Sequence, residues 1–159
     1  MHKVTGRIVV AKPRADVFCL TQDYYLRKEW DPFVREIRFL DGATAPAVGA
    51  RVWVRAWTGL TMTVAYVSYR YPDVVAIKMT DGPGFFASFG GVWRFSDADD
   101  GATEVVFEYG FRTKWAWLRP VLDPAVRWVF GRDVQARLAA VKKAAETTDV
   151  LERITVVCA

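Results

Sequence analysis

Histidine is almost missing from this chain: its 159 residues contain one, His2. Histidine is the side chain that titrates nearest neutrality and the commonest metal-binding nitrogen. Histidine-rich metal centres, Ser-His-Asp triads and Cys-His dyads would all have to run through that single residue at the chain start, where fraying is expected. Cysteine is nearly as scarce. Cys19 and Cys158 stand far apart and form no C-x-x-C, which predicts two reduced thiols, with neither a disulfide nor a thiolate zinc site. Neither a metal nor a cofactor is expected. The chain also lacks linker-like, repetitive or low-complexity stretches, which predicts one domain over residues 1–159. No apolar run approaches the roughly 18 residues of a spanning helix, and Met1-His2-Lys3 lacks the apolar core of a signal peptide. These last two absences predict a soluble, cytoplasmic protein. Runs of Lys and Arg are absent too. With 22 basic against 18 acidic residues, the net charge of +4 suits an acidic ligand or an anionic membrane surface, and no nucleic-acid partner is expected.

What is present divides into three parts. Val4 to Val10 reads as a strand, followed by a short helix opened by Pro13 with Val17, Leu20 and Tyr24 on one stripe. A second short helix follows Asp23 and runs toward Trp30, where Asp31-Pro32 breaks it. Asp23 reads as a cap or junction residue. From Phe33 to Lys114 the period changes to two. Segments near 34–40, 51–57, 60–70, 74–80, 85–96 and 103–113 are separated by short turns, which implies antiparallel neighbours. In the last of them Val105, Phe107, Tyr109 and Phe111 share one face, opposite Glu104, Glu108 and Arg112. Gly90-Gly91 reads as a bulge or bend. A helix of more than twenty residues is then predicted from Asp123 to about Thr147, with Asp123 as N-cap and Pro124 at the first helical position. Its apolar stripe holds Val126, Phe130, Val134, Leu138, Val141 and Ala145. The tail with Ile154-Thr155-Val156-Val157 reads as a strand or a loosely packed segment.

That order, with Ala11-Lys12-Pro13-Arg14-Ala15-Asp16-Val17-Phe18 into Asp23, Trp30-Asp31-Pro32-Phe33-Val34, Val48-Gly49-Ala50-Arg51, Val92-Trp93-Arg94-Phe95 before Gly101-Ala102-Thr103-Glu104-Val105, and Leu138-Ala139-Ala140-Val141-Lys142-Lys143, resembles the START-like or Bet v 1-like superfamily. Within it, the chain resembles the polyketide cyclase/dehydrase and lipid-transport branch. The resemblance implies an α+β helix-grip fold: a curved antiparallel seven-stranded sheet wrapped around the long C-terminal helix, with two short helices after strand 1. It also implies a cavity between sheet and helix for lipids, polyketides, quinones, sterols or plant metabolites. Fold alone does not assign a reaction. The residues that carry catalysis in the aromatic cyclases form no contiguous motif here, and none is transferred.

Aromatic residues make up 14% of the chain, with seven tryptophans, and such rigid surface suits a cavity for an oily ligand. The candidate ligand-facing residues are Trp30, Tyr69, Phe89, Trp93, Phe107, Tyr109, Phe111 and Phe130. Trp30 also has a purely structural reading, as the floor between the short helices and the sheet. Asp133 and Arg137, spaced i,i+4, project into the apolar arc of the long helix. They read as a flank pair whose arginine snorkels to water, or as a polar anchor for a ligand head group, and they complete the candidate set. Gly82-Pro83-Gly84-Phe85-Phe86 reads as a lid or as a hairpin with inward rings. Trp115-Ala116-Trp117-Leu118-Arg119 reads chiefly as inward packing, with a portal gate or transient membrane contact as the alternative. The expected function is binding, or transport, of a hydrophobic small molecule. The alternatives are a polyketide cyclase or dehydratase moving protons through Tyr, Asp, Glu, Arg or water, and a partner-binding module like the chaperone-activator relatives of the fold.

Overall fold

The computed structural model describes residues 1–155 and 158. A seven-stranded sheet is built from β1 (His2–Val10), β2 (Val34–Phe39), β3 (Arg51–Ala56), β4 (Thr61–Arg70), β5 (Val74–Asp81), β6 (Phe86–Asp97) and β7 (Thr103–Thr113). Its order is β1-β7-β6-β5-β4-β3-β2, and every neighbouring pair is antiparallel. The sequence changes period after β1 because two helices follow it, α1 (Arg14–Gln22), which packs against β6, and α2 (Tyr24–Trp30), which packs against β2. The junction between them is made by Asp23, whose carboxylate accepts from the Tyr25 and Leu26 backbone N–H groups at 3.1 and 3.3 Å. Asp31 ends α2 as expected.

Side-chain alternation makes the concave face. Val105, Phe107, Tyr109 and Phe111 of β7 are all buried, and their register partners on β6 are Phe95, Trp93, Gly91 and Phe89. The stacked Trp93–Phe107 pair, with centroids 4.0 Å apart, joins the two strands. Gly90-Gly91 lies in regular register, and the β6–β7 irregularity falls at Phe86/Ser88 instead. The two glycines serve close approach: a Cβ on Gly90 would stand 2.9 Å from the Ile77 carbonyl oxygen. Phe86 is the first residue of β6 and is buried, so the hairpin before it turns its rings inward.

The long helix α3 spans Arg119–Thr147, four residues more than expected at its start. Pro120 occupies the first turn, where a missing N–H costs nothing, and Pro124 is carried inside the helix. Asp123 is therefore not a cap. Its carboxylate accepts from the Thr113 hydroxyl at 2.6 Å and pairs with His2 Nε2 at 2.7 Å, so the lone histidine is tied down in β1. Val134, Leu138 and Val141 are buried against the sheet. Gly6 of β1 lets α3 come this close, since a Cβ there would stand 2.6 Å from Val134 Cγ1 and 2.9 Å from Leu138 Cδ1.

The expectation of two reduced thiols is overturned. Cys19 on α1 and Cys158 form a disulfide, with Cα atoms 5.7 Å apart. After the short helical turn Val150–Arg153 the tail folds back over α1 and α2. Thr155 N–H donates to Asp23 at 2.9 Å, the Tyr69 hydroxyl donates to the Cys158 carbonyl at 2.9 Å, and Arg153 makes a two-pronged contact with Glu29 at 3.1 and 2.8 Å. Sequence separation hid the pair because nothing local reports that the two ends of the chain meet. Ile154 and Thr155 are not in a strand, and Val156 and Val157 lie outside the described residues.

Candidate functional site: a cavity between the sheet and the long helix

A cavity of about 140 Å³ lies between the concave sheet face and the first half of α3. Its walls are almost wholly apolar, with Val64, Val75, Ile77, Phe86, Phe89, Trp93, Phe107 and Phe130 among them. Gly91 contributes to this space by presenting no side chain between Ile77 and Tyr109. Thr58, Leu60 and Thr61, in and just after the β3–β4 turn, line the cavity and are exposed, so its rim lies there.

Of the ten sequence-derived candidates, Phe89, Trp93, Phe107, Tyr109, Phe130, Asp133 and Arg137 line the cavity. The other three stand elsewhere. Phe111 packs edge-on to Phe86 and Phe130 behind the wall. Tyr69 is held by the tail, and Trp30 lies beside the Arg27 guanidinium, 5.3 Å from its ring centre, with its buried indole N–H unpartnered among the described residues.

A charged cluster is built into and behind the cavity wall, with Arg27, Asp133 and Arg137 lining it and Asp31 buried behind them. Asp133 and Arg137 are only 9% and 6% exposed, so the expected snorkelling to water does not occur. Nor do they pair with each other. Arg137 Nε and Nη2 donate to Asp31 Oδ2 at 3.2 and 2.9 Å, and its Nη1 donates to the Tyr109 hydroxyl. Arg27 Nε donates to the same Asp31 oxygen at 2.8 Å, while Arg27 Nη1 donates to the Thr21 carbonyl at 2.5 Å. The remaining Asp31 oxygen accepts the Phe33 backbone N–H at 2.9 Å. Asp133 instead accepts from Trp57 Nε1 at 3.2 Å. The Arg137 guanidinium is further lodged among aromatic rings, 4.8 Å from the centres of both Phe33 and Phe107.

Burial would raise the Asp31 carboxyl, but Arg137 and Arg27 together hold it below the ordinary carboxylate range. Asp133 goes the other way: burial raises it, against the pull of the Trp57 hydrogen bond and Arg137. Burial pushes the Tyr109 hydroxyl up to about 12, so it stays protonated at neutral pH. Two buried guanidiniums therefore share one firmly ionised carboxylate, and both line the cavity. A second polar group of the wall is the Tyr66 hydroxyl network. It donates to Gln22 Oε1 at 3.0 Å and meets the Tyr24 hydroxyl, and Gln22 and Tyr24 face the cavity.

Asp31, Arg27, Gln22 and Tyr24 were absent from the candidate set. Asp31 terminates α2 as its place before Pro32 implies, but its carboxylate is also the centre of the cluster. The signal available was a carboxylate and an arginine at i,i+4 in a helix whose end is buried. Among the described residues no group of three or more His, Cys, Asp or Glu is placed to hold a metal ion, and no helix is long and apolar enough to cross a membrane.

Comparison with solved structures bears on the fold. The chain superposes on a START superfamily protein from Mycobacterium smegmatis with a TM-score of 0.75 at 15% identity, covering 92% of this chain and 98% of that one. It superposes on the Zhui aromatase/cyclase of a Streptomyces species with a TM-score of 0.72 at 18% identity, covering 92% and 96%. For the protein XoxI from Bacillus cereus the TM-score is 0.76 at 12% identity, covering 92% and 97%. These likenesses establish the helix-grip architecture. No functionally curated protein matches the sequence. The family model described as polyketide cyclase / dehydrase and lipid transport matches residues 1–146, nearly the whole chain, and the protein belongs to that family.

Proposed function

We propose that the protein binds a hydrophobic small molecule carrying one anionic or strongly hydrogen-bonding end, with its apolar body against Phe89, Trp93, Phe107 and Phe130. The observation that carries this reading is the pairing of an aromatic cavity with Arg27 and Arg137 in its wall, which share the Asp31 carboxylate, while Asp133 of the same wall accepts from Trp57 and has its carboxyl raised by burial. In an apolar cavity a guanidinium favours an anionic group far more than it would in water. Tyr109, Gln22 and Tyr24 add neutral hydrogen-bonding partners around the same space.

Native mass spectrometry of freshly purified protein, with extraction of any retained small molecule, tests the reading directly. A fatty acid and its methyl ester, titrated into the wild type, then separate charge from shape. The acid should bind more tightly by about 1.5–3 kcal/mol, the worth of a hydrogen bond to a charged group. Equal affinities would remove the anionic end from the proposal. Failure of either ligand to bind, with no extracted molecule, would remove the binding function.

A second reading, a cyclase or dehydratase, is favoured by one observation. The Tyr109 hydroxyl is held by Arg137 in the cavity wall, where a protonated phenol beside a fixed cation can donate to a developing oxyanion. Conversion of an aromatic polyketide model by the wild type, lost in Tyr109→Phe, would favour catalysis over simple binding.

A further inference from the structure

Four of the seven tryptophans are exposed: Trp57 (49%), Trp115 (43%), Trp117 (78%) and Trp128 (64%). Trp115 and Trp117, expected chiefly inward from the sequence, are turned out. They are not scattered. Val121, Ala125 and Trp128 recur at helical spacing on the face of α3 opposite Phe130 and Arg137, and Trp117 precedes Val121 by four residues. Trp57 stands across a shallow cleft from Trp128, and Leu60, three residues on, belongs to the cavity rim. The first half of α3 is thus apolar on both sides, one toward the cavity and one toward solvent.

Basic residues dominate the stretch of chain that builds this face, with Arg127 and Arg132 on α3 itself, Arg119 at its start held by the Thr113 carbonyl, and Arg112 on the outer side of β7. From Arg112 to Arg132 the chain carries five basic residues, Arg112, Lys114, Arg119, Arg127 and Arg132, and one acid, Asp123. All five bases are exposed, whereas Asp123 is buried and engaged by Thr113 and His2. We propose that this face docks on the surface of an anionic bilayer, with α3 lying in the headgroup layer and the cavity rim turned toward the lipid. Indoles settle at that depth, and arginines meet lipid phosphates there. The two attractions act together, as stable peripheral binding requires. The proposal goes beyond ligand binding and does not depend on what the cavity holds.

Co-sedimentation with vesicles tests it. The wild type should bind vesicles of phosphatidylcholine with about 30% phosphatidylglycerol and bind pure phosphatidylcholine weakly, with binding falling as salt rises. Trp117→Ser/Trp128→Ser should weaken binding at least about tenfold, and so should Arg127→Glu/Arg132→Glu, which keeps every indole. All four side chains are exposed, so both variants should melt as the wild type does. A wild type that stays in the supernatant, or variants that bind as it does, would overturn the proposal. A dimer that the tryptophan variant dissociates, without vesicle binding, would overturn it in favour of a second copy of the chain. Native mass spectrometry of the same variants should find ligand occupancy unchanged, which keeps this outcome separate from that of the binding function.

Discussion

Asp31 shows how much one side chain can carry. It caps the end of α2, accepts the Phe33 N–H, and neutralises part of the charge of two guanidiniums that are buried with it. Such a cluster is stable only while its members are present together, because desolvation of each ion is offset by the others. Replacing Asp31 with Asn should cost about 3–5 kcal/mol in urea unfolding, since two buried cations would lose their counter-ion. The pH dependence follows in sign. A carboxyl whose folded pKa is depressed contributes stability above its unfolded value, near 3.9, and loses it as pH falls through the folded value. Wild-type stability should therefore drop on acidification below about pH 4, and that share of the slope should vanish in Asp31→Asn. Asp133 has the opposite sign. Its raised folded pKa contributes stability at low pH that is lost as the group ionises in place, so Asp133→Asn should exceed the wild type at pH 7 and lose that advantage below about pH 4.

At the scale of elements, α3 performs two tasks along its length. Its second half is a structural strut packed against β1, where Val134, Leu138 and Val141 are buried and Gly6 removes the side chain that would hold the helix off. Its first half roofs the cavity with Phe130 and faces solvent with Val121 and Trp128. Leu138→Ala should cost about 2–5 kcal/mol by leaving a void in the strut, while the same change at Val121 should be nearly neutral. Chemical denaturation of the two variants checks this, and a loss below about 1 kcal/mol at Leu138 would mean that the helix face is misassigned.

For the molecule as a whole, the disulfide ties the C-terminal tail to α1 across a sequence separation of 139 residues. Closing so long a loop restricts the unfolded chain, and reduction should lower stability by about 2–4 kcal/mol. A thiol assay on denatured, unreduced protein should find no free sulfhydryl, and two after reduction. Finding two before reduction would remove the cross-link from the account of stability.

Much of this was legible in the residues themselves. The period-two segments, the turns between them and the stripe from Val126 to Val141 depend on local stereochemistry and on which side chains avoid water, and both are written along the chain. The aromatic inner face of β7 was legible for the same reason, and the resemblance supplied the order in which the elements close. Partnership between distant residues was not. By spacing alone Arg137 goes with its helical neighbour Asp133, but the packing of α2 against α3 brings Asp31 to it across 106 positions, and an ionised carboxylate already fixed by Arg27 and the Phe33 amide is the better counter-ion. Cys19 and Cys158 met for a similar reason, and Asp123 is no cap because the helix already begins at Arg119, which leaves its carboxylate to Thr113 and His2. Local pattern decides which face of an element is apolar, because that depends on periodicity. Only the assembled structure decides which buried polar groups satisfy one another, because that depends on distances the linear chain does not contain.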